Sequence, residues 1–417
     1  MHIISCEANE IKDTRGRPTV EVELVATNGD GSQELRAIAS VPSGKSTGSH
    51  EARELRDEDG DGVSRVLELL NGEIAQMLCS QEFLSLQEID NALIVLDETP
   101  DKSRLGSNGI LAVSVASARL FAQERGMALW KYLAEETNST PSMPRLFANV
   151  INGGAHANFR LPFQEYMIVC GGGEQTVEQS FAAMTSLYEE LRGALVVECG
   201  EKNVLMGDEG GYAPTFSTVE RPFEILTKLI EGKPHLSLAI DAAASELRSA
   251  TSPLEGEGGV EGYYTLINKK YSREELLALY ERLVNDFPMH SIEDPFAEND
   301  IDGFRDITAK LGMRTIIIGD DLTVTNSSRI AQSADDKLAN AVIIKPNQIG
   351  TVSETLDAVR IAREHEWRVV VSHRSGETDD TFISDLAYGV GAHGIKAGGL
   401  AQKERLAKYN RLLEIEG

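Results

Sequence analysis

From residue 236 onward the chain repeats one pattern six times: a short β-rich apolar run that stops on an ionisable residue and gives way to a helical stretch. The runs are 236–240 before Asp241, 289–292 before Glu293, 314–319 before Asp320, 341–344 before Lys345, 368–372 before His373 and 392–395 before Lys396. The last five of these ionisable residues lie 27, 25, 28 and 23 positions apart, the length of one strand, one helix and two loops. That is the period of a (β/α) barrel. A doubly wound open sheet alternates similarly, but it rarely aligns so many ionisable groups at strand ends. In barrels the active site is built where the C-terminal ends of the strands converge, so six such residues in succession point to one shared cavity.

The N-terminal part has a different grammar. A turn near residues 13–17 leads into strict period-two alternation up to Val25, and residues 35–41 read as a second strand of a small sheet. From Gly62 to Leu133 the apolar spacing is helical, as in Val63, Val66, Leu67 and Leu70, then Ile110, Val113, Ala116, Leu120 and Phe121. Strands followed by helices indicate an α+β domain. The polar, proline-bearing stretch 134–144 reads as a linker. The expected organisation is an α+β capping domain over 1–134, with a mobile loop at 42–49, and a barrel over 135–417.

Asp241, Glu293 and Asp320 end three strands and, in a barrel, face one another. Like charges that close are costly unless a cation lies between them. Oxygen ligands without His or Cys select a hard ion, Mg2+ or Mn2+. Lys345 and Lys396 end later strands of the same set, and a divalent ion beside a lysine favours the neutral form that a general base needs. With the anion-binding run His373-Arg374-Ser375, they suggest a substrate bearing a carboxylate and a phosphate. Gly207-Asp-Glu-Gly-Gly211 puts Glu209 in a glycine-flanked turn, and Asn152 to His156 followed by Gln164-Glu165 offers a second loop with an imidazole and a carboxylate. Two carboxyl groups sharing a site push one pKa up, so Glu209 is expected to keep its proton near neutral pH if Glu165 lies beside it.

With 66 acidic against 40 basic residues, a net charge of −26 and no run of Lys and Arg, the chain repels nucleic acid and anionic lipid. No stretch reaches the ~18 apolar residues of a membrane span, and the N-terminus lacks a signal peptide's apolar core, so a cytoplasmic location is expected. Cys6, Cys79, Cys170 and Cys199 form no CxxC pair; they read as buried small hydrophobes. Residues 39–46 satisfy a relaxed phosphate-loop pattern ending Gly44-Lys45-Ser46, but Pro42 removes a backbone donor and the first glycine is missing.

Seven motifs in order, Asp13-Thr-Arg-Gly-Arg-Pro-Thr, Ser43-Gly-Lys-Ser-Thr-Gly48, Gly207-Asp-Glu-Gly-Gly211, Ser291-Ile-Glu-Asp-Pro-Phe296, Gly319-Asp-Asp-Leu-Thr323, Ile344-Lys-Pro-Asn-Gln-Ile-Gly-Thr351 and Ser372-His-Arg-Ser-Gly-Glu-Thr378, resemble those of the enolase family across nearly the whole chain. The resemblance implies a (β/α)8-type barrel of ββαα(βα)6 form behind a smaller α+β domain, and a homodimer or higher homo-oligomer. It implies a phosphopyruvate hydratase, a lyase that reversibly converts 2-phospho-D-glycerate to phosphoenolpyruvate in glycolysis through an enediolate. By position it implies Asp241, Glu293 and Asp320 as ligands of a first Mg2+, and Ser46 as a ligand of a second that forms with substrate. It implies Lys345 as the base, Glu209 supported by Glu165 as the acid, and Lys396 on the substrate carboxylate. Arg374 and Ser375 would contact the phosphate, with His156, His373 and Gln164 beside the substrate. The chain departs from the family at Lys45, where alanine is usual, in the loop 155–163 with Arg160 and Pro162, and at 399–402. The altered loops leave a paralogue acting on a related phosphonate or acid-sugar substrate as the alternative.

Overall fold

Three antiparallel strands, His2–Lys12, Pro18–Thr27 and Glu34–Ser40, open the chain as a meander. The computed structural model describes residues 1–29, 31–45, 48–172, 175–248 and 263–417. The third strand alternates one face in and one face out, as its period-two pattern requires. The first strand escaped the sequence reading because its register shifts between Ile3 and Ser5, which leaves Ile4 exposed and breaks the alternation. Helices follow, among them Leu86–Asp97, Ser107–Glu124 and Leu129–Glu136. Ser107–Glu124 is buried almost all round, because the small sheet covers one side and the barrel's helices the other.

Eight strands then close into a barrel: Arg145–Asn152, Glu165–Cys170, Leu236–Asp241, Met289–Glu293, Ile316–Gly319, Ala341–Ile344, Arg368–Ser372 and Gly394–Lys396. They are numbered first to eighth below. The eighth pairs in parallel with the first, from Gly394 opposite Arg145 to Lys396 opposite Phe147, so the eight strands close into a ring. The second strand runs antiparallel to both its neighbours, while the remaining pairs are parallel. Two helices, Val177–Cys199 and Arg221–Ile230, follow the opening strand pair, and six strand–helix units complete the ββαα(βα)6 order.

Inside the barrel, Phe147, Met167, Val169, Ala239, Ile318 and Ile343 belong to a separate buried apolar cluster. At the end of the barrel opposite the strand-end acids, His290 of the fourth strand reaches His393, just before the eighth, with Nε2 to Nε2 at 3.0 Å and the rings stacked. Arg145 Nη1 lies 3.5 Å from His393 Nδ1. The N-terminal domain is held on the barrel partly through the helix Val352–Glu364: Asp90 accepts from the backbone N–H of Ser353 at 2.9 Å and Ser114 from that of Val352 at 2.8 Å. Cys6 and Cys170 are buried, whereas Cys79 and Cys199 are only partly so. No helix among the described residues is long and apolar enough to cross a membrane.

Candidate active site

The parallel strands deliver their last residues to one buried mouth. Asp241, Glu293 and Lys396 end the third, fourth and eighth strands, while Asp320, Lys345 and His373 immediately follow the fifth, sixth and seventh. Glu165 arrives there by the opposite route: it is the first residue of the antiparallel second strand, paired with Asn152 on one side and Asp241 on the other. Its expected place in a loop with Gln164 is thus corrected, because reversing one strand brings its beginning to the mouth. Gln164 precedes it, with its backbone N–H on the Asp241 carbonyl at 2.9 Å.

Lysines gather the acids. Lys396 Nζ lies 3.1 Å from Asp241 Oδ2, 2.9 and 3.0 Å from the two Glu293 oxygens and 3.2 Å from Glu165 Oε2, all of them buried. Lys345 donates to Asp320 Oδ2, whose other oxygen accepts from Gln348 Nε2 at 2.9 Å. Burial alone would lower the Lys345 pKa, but the Asp320 partner outweighs it and the ammonium is held above its ordinary value. These protein neighbours favour the charged lysine, whereas the neutral form expected from the sequence was argued for a lysine beside a divalent ion. Burial, and after it Asp241, pushes Glu293 up to about 8. Asp294, at φ 41°, accepts the backbone N–H groups of Asp320 and Asp321 at 2.8 Å each.

A two-residue strand pair, Leu205–Met206 with Tyr212–Ala213, is stitched to the first barrel strand and frames the loop 207–211. A Cβ at Gly211 would lie 2.8 Å from Asn152 Oδ1, the oxygen that accepts the Gly211 N–H, so a side chain there would push that amide away. Glu209 Oε2 accepts from Asn149 Nδ2 at 2.9 Å, and approaches His156 Nδ1 at 3.4 Å and His373 Nε2 at 3.9 Å. Ligand atoms of His156, Glu165 and Glu209 lie within 4.8 Å of one another. One carboxyl of the pair is indeed pushed up, but it is Glu165, driven first by burial and then by the charge of Glu209. Burial opposes ionisation of Glu209 too, yet His156 and His373 hold it well below the carboxylate range. The expectation that Glu209 keeps the proton is therefore reversed, because the imidazoles face Glu209 and the acids face Glu165.

On the other side of the mouth, Arg374 donates to Glu51 Oε2 at 2.9 Å and Asn347 Oδ1 at 3.0 Å. Ser375 Oγ accepts from Arg15 Nη1 at 3.3 Å. Gly44 lies on the Arg374 guanidinium, where a Cβ would sit 2.0 Å from Nη2.

Residues 3–133 match the family model for the enolase N-terminal domain, and residues 140–417 match that for the enolase C-terminal TIM barrel domain. The chain belongs to the enolase family. It is 43% identical to an enolase of Methanopyrus kandleri, over 99% of this chain and 95% of that one. Enolases of Ehrlichia chaffeensis and Helicobacter pylori are 40% and 41% identical, each over 98% of this chain and 94% of the relative.

The enolase family implies a divalent metal, and the donors fit one. Three carboxylate oxygens of Asp241 and Glu293 lie within 3.1 Å of a single ammonium, so both side chains reach one cation. Asp320 lies within 4.8 Å of Asp294 and Asp321, a second all-oxygen group. The Ser46 ligand expectation lies outside the described residues.

Among the described residues, Ser43 of the phosphate-loop pattern bridges to Gly376 in antiparallel fashion, and the first helix after it opens at Ser64. Lys45 Nζ instead donates to Asp208 Oδ2 at 2.7 Å and to the Ala155 carbonyl at 2.9 Å, joining the loops that precede Glu209 and His156. Sequence reasoning missed Glu51, Gln348, Asp294 and Arg405. Asp294 and Gln348 sit inside quoted motifs, so their signal was present; Glu51 and Arg405 lie in charged stretches that resemble solvated surface.

Proposed function

We propose that this enolase-family chain is a phosphopyruvate hydratase, a lyase that reversibly dehydrates 2-phospho-D-glycerate to phosphoenolpyruvate with Mg2+. Asp241, Glu293 and Asp320 would hold the Mg2+, which would supply positive charge beside the substrate carboxylate. Lys345 removes the proton beside that carboxylate, and Lys396 holds the carboxylate. Lys345 acts as a base once its charge is no longer required by Asp320. Glu209 and Glu165 share one proton, which rests on Glu165 and passes through Glu209 to the departing hydroxyl, completing the loss of water. Arg374 and Ser375 hold the phosphate, with His156, His373 and Gln164 around the substrate. Residues 1–134 cap the barrel domain, 135–417, and the assembly is a homodimer or larger.

The observation that carries this reading is that a family match along nearly the whole chain coincides with two lysines, the three strand-end acids and the Glu165–Glu209 pair in one buried mouth. An ultraviolet assay for the enol product, started with 2-phosphoglycerate with and without Mg2+, tests it. Metal-dependent formation is expected; a folded protein that gives no product refutes the assignment.

A further inference from the structure

Arg405, on the C-terminal helix Lys403–Glu416, is fully buried and is among the largest such side chains in the protein. Each of its three nitrogens donates: Nε to Gln402 Oε1 at 3.0 Å, Nη2 to the Ser375 carbonyl at 2.8 Å, and Nη1 to the Arg374 carbonyl at 2.6 Å and to His373 Nδ1. No carboxylate among the described residues forms an ion pair with it. Space for it is made at Gly398, where φ is 81° and a Cβ would lie 2.7 Å from Arg405 Cδ. A guanidinium buried without a carboxylate partner is expensive in desolvation, so its position against His373 needs a return.

Arginine only donates, so an imidazole nitrogen that faces it must present a lone pair. The alternative tautomer would place a proton on Nδ1, within reach of the Arg374 carbonyl 3.1 Å away, but that proton would meet the Arg405 Nη1 N–H that closes on the same nitrogen. The proton then belongs on Nε2, the nitrogen 3.9 Å from Glu209 Oε2. We propose that Arg405 is a positioning residue that locks His373 as the neutral tautomer with its proton on Nε2, a fixed donor toward Glu209 rather than an acid or base. This inference rests on the reading of Glu209 as the group that delivers the proton. Charged groups facing His373 come from four elements: Glu209 from the loop 207–211, Arg405 from the last helix, Lys396 from the eighth strand and Lys345 after the sixth. Only Glu209 favours the imidazolium. Burial comes first, and with the three cations it holds the ring well below its ordinary pKa.

The test is the nitrogen spectrum of the histidine rings in protein labelled with 15N only at its eight histidines, with His373→Gln assigning the signal. Wild type is expected to show Nε2 protonated and Nδ1 bare from about pH 8 to about pH 5.5, with no titration. Arg405→Lys, which also only donates, is expected to keep that pattern. Arg405→Leu is expected to move the proton to Nδ1 and to shift the titration of the ring upward from its wild-type position, with a new acid limb in kcat. A wild-type ring protonated on Nδ1, or titrating in that range, overturns the proposal. So does an Arg405→Leu protein with unchanged tautomer and titration. If that variant does not fold, the wild-type spectrum alone decides. The spectra need no substrate, so failure to act on 2-phosphoglycerate would sink the assigned reaction without touching this result.

Discussion

Acidification should weaken the barrel through its two floor histidines. Burial first, then Arg145 and Arg368, depresses His290 to about 4; burial, His290 and the same arginines take His393 to about 3. Both rings are therefore neutral in the fold, whereas the unfolded chain takes up protons below about 6.5. The stability they provide is complete above that pH and is lost as the pH falls toward 4 and then 3. For His290 alone, the difference at pH 4.5 is about 2.5 kcal/mol, a large part of the ~5–15 kcal/mol of a typical protein. His393 adds less than its own depression suggests, because part of it is repulsion from a charged His290. The assay is urea unfolding at several pH values between 7 and 4.5, comparing wild type with the His290→Gln, His393→Gln double variant. Carboxylates and His373 titrate in both proteins and cancel in the difference. Wild type should lose on the order of 2 kcal/mol more than the double variant over that interval. Parallel curves would refute the argument.

Lys345→Ala should lower kcat by about 10²–10⁴-fold while circular dichroism stays that of the wild type, since it removes the assigned base and one ion pair. Substantial residual turnover would remove Lys345 from that role. Chelation should abolish turnover and lower the melting temperature. Restoring Mg2+ to about a hundred times its dissociation constant should return about 2.7 kcal/mol of stability, measurable by calorimetry. Lys45→Ala should raise KM for 2-phosphoglycerate by no more than about fivefold, because its partners are half exposed and such a pair is worth at most about 1 kcal/mol. A rise of a hundredfold would mean that the ammonium meets the phosphate directly, contrary to its bonds to Asp208 and Ala155.

The six parallel strands were legible because each is a short apolar run closed by a charge, and a barrel turns that punctuation into a site. Asp241 and Glu293 prove to be the final residues of their strands, and Lys396 ends the eighth. The same rule misplaced Glu165, whose strand begins with its acid. Which carboxyl of the Glu165–Glu209 pair holds the proton was beyond sequence spacing, because that depends on which one His156 and His373 approach. Arg405 looked like one more charge on a polar helix, since its burial comes from the turn at Gly398 and the packing of 373–375 against the last helix.

Closure of the barrel by the eighth strand against the first has a consequence for synthesis. Asp241 leaves the ribosome about 150 residues before Lys396, the ammonium that gathers it with Glu293. At typical elongation rates the nascent chain carries that acidic rim without its internal counter-charge for on the order of ten seconds. During that interval dissolved cations are the available neutralisers, and the final stave must enter against whatever they have organised.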